Sequence, residues 1–203
     1  MSISASFTTK AVSAATSTSL VIAGSSTTAG TSDAVVIADK AAGRAATIKV
    51  TLLDSNSAAV NDLSLSATIS GSGLIKASTD GVAGGDARAT SVTLTSTNVG
   101  YVAVNSDGTA GVATVTISAG TTVLATETVT FYGDVASVVA TVVNSVIPAT
   151  NTGASVGAVT AVAYDAAGVV VGAGDLYATS SDATIISNSY TSAAITSGKA
   201  TFT

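Results

Sequence analysis

An internal repeat constrains the fold of this chain more than any other feature of its sequence. Asp54 follows a strand-like run and precedes Val60, and Asp165 precedes Val171 at the same distance along the chain. The repeat therefore predicts two copies of one domain. Further pairs that match at the spacing of Asp54 and Asp165, without a gap, are Leu65 with Leu176, Ala67 with Ala178, Thr68 with Thr179, Ser70 with Ser181, Leu74-Ile75 with Ile185-Ile186, and Arg88-Ala89-Thr90 with Lys199-Ala200-Thr201.

The residue types and their alternation predict strands. Charged residues make up 9% of the chain, and the only glutamate is Glu127, so the exposed charges typical of an alanine-rich helical protein are missing. Val and Thr are abundant, and their β-branched side chains suit a pleated strand. The spacing from Asp54 to Asp165 is close to the length of one immunoglobulin-type sandwich, about 100 residues. We therefore expect an all-β fold of tandem immunoglobulin-like β-sandwich domains, the second incomplete.

The repeat also sets the expected domain boundaries. Residues 1–18 are a leader or linker, or the last strand of a preceding module. Residues 19–133 form the first domain, and residues 134–203 form part of the second. Thr203 corresponds to Val92 of the first copy, so the second copy lacks about three strands. We expect the native polypeptide to continue, or a neighbouring subunit to supply these strands by β-augmentation.

Short alternating runs bounded by turn residues give the expected strands. The Asp-Gly pair within Asn105–Thr109 predicts a tight hairpin turn, and a second turn at Ala119-Gly120-Thr121 precedes the longest strand. In that strand Glu127 falls in register with Val123, Ala125, Val129 and Phe131, so we expect a bulge or edge position that turns it to solvent. The expected strands are Leu20–Ala23, Ala34–Ala38, Thr47–Leu53, Leu63–Ile69, Leu74–Ala77, Thr90–Thr95, Val99–Val104, Gly111–Ser118, Thr122–Phe131, Val135–Val143 and Val159–Tyr164.

Composition excludes several classes of function. The chain contains no His and no Cys, so it cannot build a Ser-His-Asp triad, a Cys-His pair or a zinc site with His or Cys ligands. Its net charge of −5 is not the basic patch that a nucleic acid requires, and no nucleic-acid partner is expected. No run reaches the roughly 18 apolar residues of a membrane-spanning helix, and the sequence after Met1 does not resemble a signal peptide. We expect no enzymatic activity.

The sequence around the two aspartates resembles bacterial immunoglobulin-like domains of the invasin/intimin type, which also occur in surface-layer and adhesin proteins. The resemblance lies in a strand, an Asp-led turn, a Val and a second alternating strand, as in Asp54–Val60 and Asp165–Val171. The usual Gly-Asn-Pro-Val turn is absent, and Ser55-Asn56-Ser57-Ala58 and Ala166-Ala167-Gly168-Val169 take its place. The resemblance implies an extracellular, cell-surface array of tandem domains and supplies no functional residue.

Aspartates give the only candidate sites. Asp80 and Asp86 end a glycine-rich loop that could offer carboxylates and carbonyls to Ca²⁺, although an exposed turn explains the same residues. Asp134, with Asp175 or Asp182, is a second candidate calcium site at the domain junction. We therefore predict Asp80, Asp86 and Asp134 as metal ligands and calcium as the only candidate cofactor. Such a site predicts a calcium-dependent rise in melting temperature that a chelator reverses.

Three functions fit these observations. The first is a structural module of a self-assembling cell-surface array, such as a surface layer, whose partners are neighbouring copies or domains. The second is an adhesin stalk or binding module that contacts protein or glycans, which usually stack on exposed aromatic rings. Tyr164 and Tyr177 flank one hairpin, but we expect both to pack in the core. The third is a phage virion decoration domain, which the lack of a signal peptide favours.

Overall fold

The computed structural model describes residues 10–24, 32–78, 87–145, 157–179, 181 and 191–202, and within them it contains strands and no helix. The all-β prediction is confirmed. The described chain divides into two compact units, residues 1–36 with 41–131 and residues 37–40 with 132–203. The strands are β1 (Thr18–Ala23), β2 (Ile37–Asp39), β3 (Arg44–Thr51), β4 (Leu63–Gly71), β5 (Leu74–Ser78), β6 (Ser91–Ser96), β7 (Val99–Asn105), β8 (Gly111–Ala119), β9 (Thr122–Tyr132), β10 (Ser137–Val142), β11 (Val159–Tyr164), β12 (Asp175–Ala178), β13 (Thr191–Ala194) and β14 (Ala200–Phe202).

Two antiparallel sheets pack face to face in the first unit. The strand orders within this unit are β1-β3-β7-β5 in one sheet and β9-β8-β4-β6 in the other. The two sheets approach so closely that a Cβ on Gly100 of β7 would lie 2.8 Å from Cδ1 of Leu94 and 3.2 Å from Cδ1 of Leu65. Alternate residues on each strand point inward, as period-two patterning requires. The largest fully buried side chains are Phe131, Ile48, Leu52, Leu65, Ile75, Ile117, Val21, Val50, Val102, Val104, Val115 and Val129.

The expected Asp-Gly hairpin is wrong in its topology. Gly108 has a positive φ of 90° and Asp107 Oδ1 accepts from the Thr109 amide, so the local turn forms. However, β7 and β8 lie in different sheets, because β3 and β5 already pair with the two edges of β7. The turn is a corner between the sheets. The turn at Gly120, by contrast, does join a hairpin, since Ala119 pairs with Thr122.

The expected exposure of Glu127 is also wrong. The bulge in β9 lies at Leu124, where the register shifts between Ile117 and Ser118 of β8, and it turns Val123 outward to 52% exposure. Glu127 stays opposite the buried Val115 and is only half-exposed. Its carboxylate accepts a hydrogen bond from the Ser19 hydroxyl of β1, which links the two sheets. That bond offsets the cost of an inward-facing charge.

Smaller sheets form the second unit. Its strands pair in the orders β10-β11-β14 and β12-β13. A cluster of apolar side chains contains Tyr132, Ala161, Ala163, Val171, Ile195, Ala200 and Phe202. The sequence repeat breaks down at β14. Ala200 pairs with Ala161 of β11, whereas its counterpart Ala89 bridges Ile75 of β5, so the matched sequences occupy different positions in the two units.

Two glycines provide a matched test of the close packing at the end of β4. Gly71 and Gly108 both have positive φ, 84° and 90°. A Cβ at Gly71 would lie 2.0 Å from the Val112 carbonyl oxygen, whereas nothing lies within 4 Å of a Cβ at Gly108. We expect Gly108→Ala to lower the free energy of unfolding by about 1–2 kcal/mol through backbone strain alone. Gly71→Ala should cost about 1–3 kcal/mol more, because backbone must move. Urea denaturation of both variants measures the difference, and equal losses would contradict the clash.

Candidate functional site

Little of the predicted calcium site lies in the described part of the chain. Asp80, Asp86 and Asp182 lie outside the described residues. Asp134 is described, and its side chain is 88% exposed and pairs with the Lys40 ammonium at 2.5 Å. Within the described ranges no group of three or more acidic residues could hold a metal ion. A cation at Asp134 would have to compete with Lys40, and the calcium hypothesis stays a prediction.

Asp54 organises the turn that leads from β3 toward β4. Its Oδ1 accepts from the amides of Asn56 and Ala58, at 2.9 Å each. Its own amide donates to the Ala58 carbonyl, and Ser57, with a positive φ of 61°, donates back to the Asp54 carbonyl. This turn returns the chain so that the Val60 amide donates to the carbonyl of buried Leu52. The carboxylate therefore satisfies backbone donors that the turn removes from the sheet.

Asp165 builds the same turn in the second copy of the repeat. Its Oδ1 accepts from Ala167 at 2.9 Å and from Val169 at 2.8 Å, and the Val171 amide donates to Ala163. Gly168, with a φ of 80°, occupies the position of Ser57. The two aspartate bonds and the backbone bonds described for the first turn thus have their counterparts at the spacing of the sequence repeat.

Asp165 makes one further contact. Its second oxygen, Oδ2, accepts from the Gly133 amide at 2.9 Å. This bond holds the residue that follows β9 in the second unit, where Tyr132 is buried among apolar side chains. Burial, together with the Asp39 carboxylate, raises the pKa of the Tyr132 hydroxyl.

Backbone hydrogen bonds lower the pKa of both aspartates. For Asp165 the bond from Gly133 is the largest cause, and for Asp54 it is the bond from Ala58. A carboxyl whose pKa is lowered by folding stabilises the fold at pH values above the ordinary aspartate pKa of about 3.9. That stabilisation is lost as the pH falls through the lowered value, because the protonated group no longer attracts the amides.

The outer face of the sheet β9-β8-β4-β6 carries hydroxyl side chains and no charge. The hydroxyls stand opposite one another across the strands, as in the rows Ser70–Thr114–Thr128 and Ser91–Thr68–Thr116–Thr126. Two valines, Val112 and Val123, interrupt them. The exposed or half-exposed hydroxyl residues of this hydroxyl face are Ser64, Ser66, Thr68, Ser70, Ser91, Thr93, Thr95, Thr114, Thr116, Ser118, Thr126, Thr128 and Thr130.

Strand β10 of the second unit is exposed along its whole length. Three valines in this strand and one directly after it have roughly half of their surface in water: Val138 (49%), Val139 (55%), Val142 (64%) and Val143 (56%). Sequence reasoning identified this strand but not its exposure. The sequence signal that could have indicated an unusual surface was the absence of charge, because no charged residue occurs between Asp134 and Asp165. Exposed strands normally carry charges that prevent pairing with other chains.

The aromatic side chains do not form a common exposed surface in the described residues. Phe131, Phe202 and Tyr132 are buried, and Tyr101 and Tyr164 are half-buried. Tyr177 is 59% exposed, so the expectation that it packs in the core is wrong. It lies in the two-stranded sheet opposite Ser192, on the side away from half-buried Leu176. Tyr190 lies outside the described residues.

The described residues include no helix that could span a membrane.

A matched pair of variants separates the two roles of Asp165. In Asp165→Asn the remaining oxygen can keep the turn, but the amide group faces the Gly133 N–H and cannot accept from it. We expect hydrogen exchange at the Gly133 amide to become at least about tenfold faster. Asp54→Asn is the control, and exchange at Ala58 should be nearly unchanged there, because Oδ1 alone accepts from both turn amides. In the unmodified protein, protection at Gly133 should fall only below a pH of about 3.9. Unchanged exchange in Asp165→Asn would contradict this role.

Comparison with known proteins gives distant structural similarity alone. No family model matches the chain, and no curated protein matches it. Among solved structures, it is similar to the Yersinia pseudotuberculosis adhesin InvE, with 14% identity over 93% of this chain and 50% of that one, at a TM-score of 0.40. Yersinia pseudotuberculosis InvD gives 15% identity over 93% and 53%, at a TM-score of 0.39. Domains 4–9 of the surface layer protein SbsC give 22% identity over 81% and 23%, at a TM-score of 0.36. The chain therefore spans about half or less of these structures.

Proposed function

We propose that the chain is a non-catalytic structural module of a self-assembling array at the cell surface, outside the cell. The observation that carries the proposal is the hydroxyl face, an uncharged and regularly spaced surface on four neighbouring strands. Such a face can pack against another protein surface without desolvating an ion, which is costly. Short hydroxyls also lose little rotamer entropy on burial compared with Lys, Glu or Arg.

The repeated turn supports a tandem design. Asp54 and Asp165 produce the same set of backbone hydrogen bonds, so one structural unit is used twice. A turn repeated along the chain is typical of tandem domains, and tandem domains suit an extended array. Neither His nor Cys is present to support catalysis, and both carboxylates of the repeated turns are occupied by backbone amides.

One observation favours a second candidate, an adhesin or other binding module. Tyr177 exposes 59% of its surface on the two-stranded sheet, and exposed aromatic rings are a usual feature of glycan-binding faces. A single ring is a weak platform compared with the hydroxyl face. A glycan array tests this alternative, and loss of binding in Tyr177→Ala would support it. A phage decoration domain remains the third candidate, and only neighbouring genes distinguish it.

Assembly of the intact protein tests the proposed function. We expect sheets or filaments in negative-stain electron microscopy, and Thr68→Lys should prevent or slow their formation. Thr68 is exposed in the middle of the hydroxyl face, between Thr116 and Ser91, so the lysine places a charge where copies would pack. Thr97→Lys is the control, since Thr97 is exposed outside the strands. Strictly monomeric protein under all ion conditions, or assembly equally impaired by both substitutions, would contradict the proposal.

A further inference from the structure

The edge of the three-stranded sheet combines unpaired backbone with exposed valines. Among the described residues β10 pairs with β11 alone, so its other edge offers backbone donors and acceptors to another strand. All six residues from Ser137 to Val142 are exposed. Val138 and Val142 lie on one face, and Val139 and Val143 on the other, with 49–64% of their surfaces in water. The edge is therefore apolar on both faces.

The register shows that one of these faces belongs to the core side of the sheet. Val138 pairs with Ala163 and Ala140 pairs with Ala161, and residues directly opposite on antiparallel strands share a face. Ala161 and Ala163 are 3% and 0% exposed. The core of the second unit thus covers β11 and ends before β10, among the residues that the structure describes.

The corresponding edge strand of the first unit is protected. In β1, which pairs with β3 as β10 pairs with β11, Val21 is 2% exposed. The outer edge of β1 is occupied, because the Val21 amide donates to Asp33 Oδ1 at 2.7 Å and the Ala34 amide donates to the Val21 carbonyl. The aspartate also places a charge at this edge. No described residue provides a comparable cap for β10.

Charge favours a second copy of the same chain at β10. The chain carries a net charge of −5, so two copies generally repel each other. The segment from Val135 to Tyr164 contains no charged side chain, and β10 lies within it. Two copies that pair along this edge bring together no charged residue of β10 or β11, and each presents exposed valines to the other.

We propose that β10 is the docking strand for β10 of a second copy, paired antiparallel about a twofold axis. A twofold axis perpendicular to the sheet keeps the core-side residues of both copies on one face of the joined sheet. Even-numbered residues of one β10 must then stand opposite even-numbered residues of the other β10. The register centred on Ala140 meets this condition. It pairs Ala140 with Ala140 and Val138 with Val142 of the second copy, and joins two three-stranded sheets into one of six strands.

This inference rests on the proposed function and deepens it, since it names a contact through which the array forms. A single short strand from each copy forms a small interface, below the roughly 1,200 Å² of stable complexes. One such contact should therefore be weak, with a Kd in the micromolar-to-millimolar range, and avidity between many copies would strengthen it. A small flat contact of this kind suits an array with several different interfaces.

Sedimentation of the full chain tests the strand. We expect concentration-dependent dimers, and Val139→Lys should weaken the association by at least about tenfold, because it places a charge beside the paired edge. Val35→Lys is the matched control, since Val35 is 94% exposed and lies outside both β10 and the hydroxyl face. Thermal melting verifies that both variants are folded. A wild-type chain that stays monomeric, or an unchanged dimer in Val139→Lys, would overturn the proposal.

Cysteine cross-linking tests the register, because the chain has no native cysteine. Residues that stand opposite in antiparallel strands have Cα atoms about 4.5–5.5 Å apart, within the range of a disulfide. We expect Ala140→Cys to form covalent dimers under mild oxidation at protein concentrations where Val35→Cys, at an exposed position outside both proposed contacts, does not. Equal cross-linking of the two variants would refute the twofold pairing.

The two proposals can fail separately. If sheets or filaments form in Val139→Lys as in the wild type, β10 is not the contact, although the array function stands. If Ala140→Cys cross-links selectively but no larger assembly forms, the β10 dimer stands and the array function is wrong.

Discussion

The two-sheet arrangement depends on a carboxylate that replaces lost sheet hydrogen bonds. After β3 the chain must leave one sheet and enter the other, and the amides at this crossing have no strand partner. Asp54 supplies acceptors for two of them, and the turn brings Val60 back against buried Leu52. Asp165 does the same after β11. Because the carboxylate accepts from amides that no strand pairs, this one residue type fixes the same turn in both units.

Asp165 extends this role to the chain that enters the second unit. Its second oxygen accepts a hydrogen bond from the amide of Gly133, which directly follows Tyr132. The Tyr132 ring packs closely against Gly172, because a Cβ on Gly172 would lie 3.2 Å from Cε1 of the ring. The first unit uses Glu127 in a comparable way, since its carboxylate joins β9 to Ser19 of β1. Asp33 and Asp107 are further carboxylates that accept hydrogen bonds from backbone amides. Their contribution comes from geometry rather than from ion pairing.

The two units differ in their surfaces as well as in their sheets. In the first unit, the strands that carry the hydroxyl face pair with one another. The edge strand β1 of the other sheet is capped by Asp33. Strand β10 has neither protection, and its valines face water on both sides. Side chains that are uncharged but hydroxylated keep a surface hydrated, whereas valine at an open edge favours association. The first unit therefore presents a polar surface, and the second unit an apolar edge.

Alternation and turn residues in the sequence predicted β1 to β11, with ends that differ by a few residues, but not β12, β13 and β14. The prediction works because side chains on a pleated strand alternate between core and solvent. The aspartate repeat likewise determined the turns, because those hydrogen bonds are local. Tertiary structure decided the rest: that the Asp-Gly turn joins two sheets rather than one hairpin, that a bulge at Leu124 exposes Val123 and keeps Glu127 inward, and that β14 leaves the repeat to pair with β11. It also decided that Tyr177 and β10 are exposed. The physical reason is that pairing and cover depend on strands distant in the chain, and local patterns do not encode which strand becomes a neighbour.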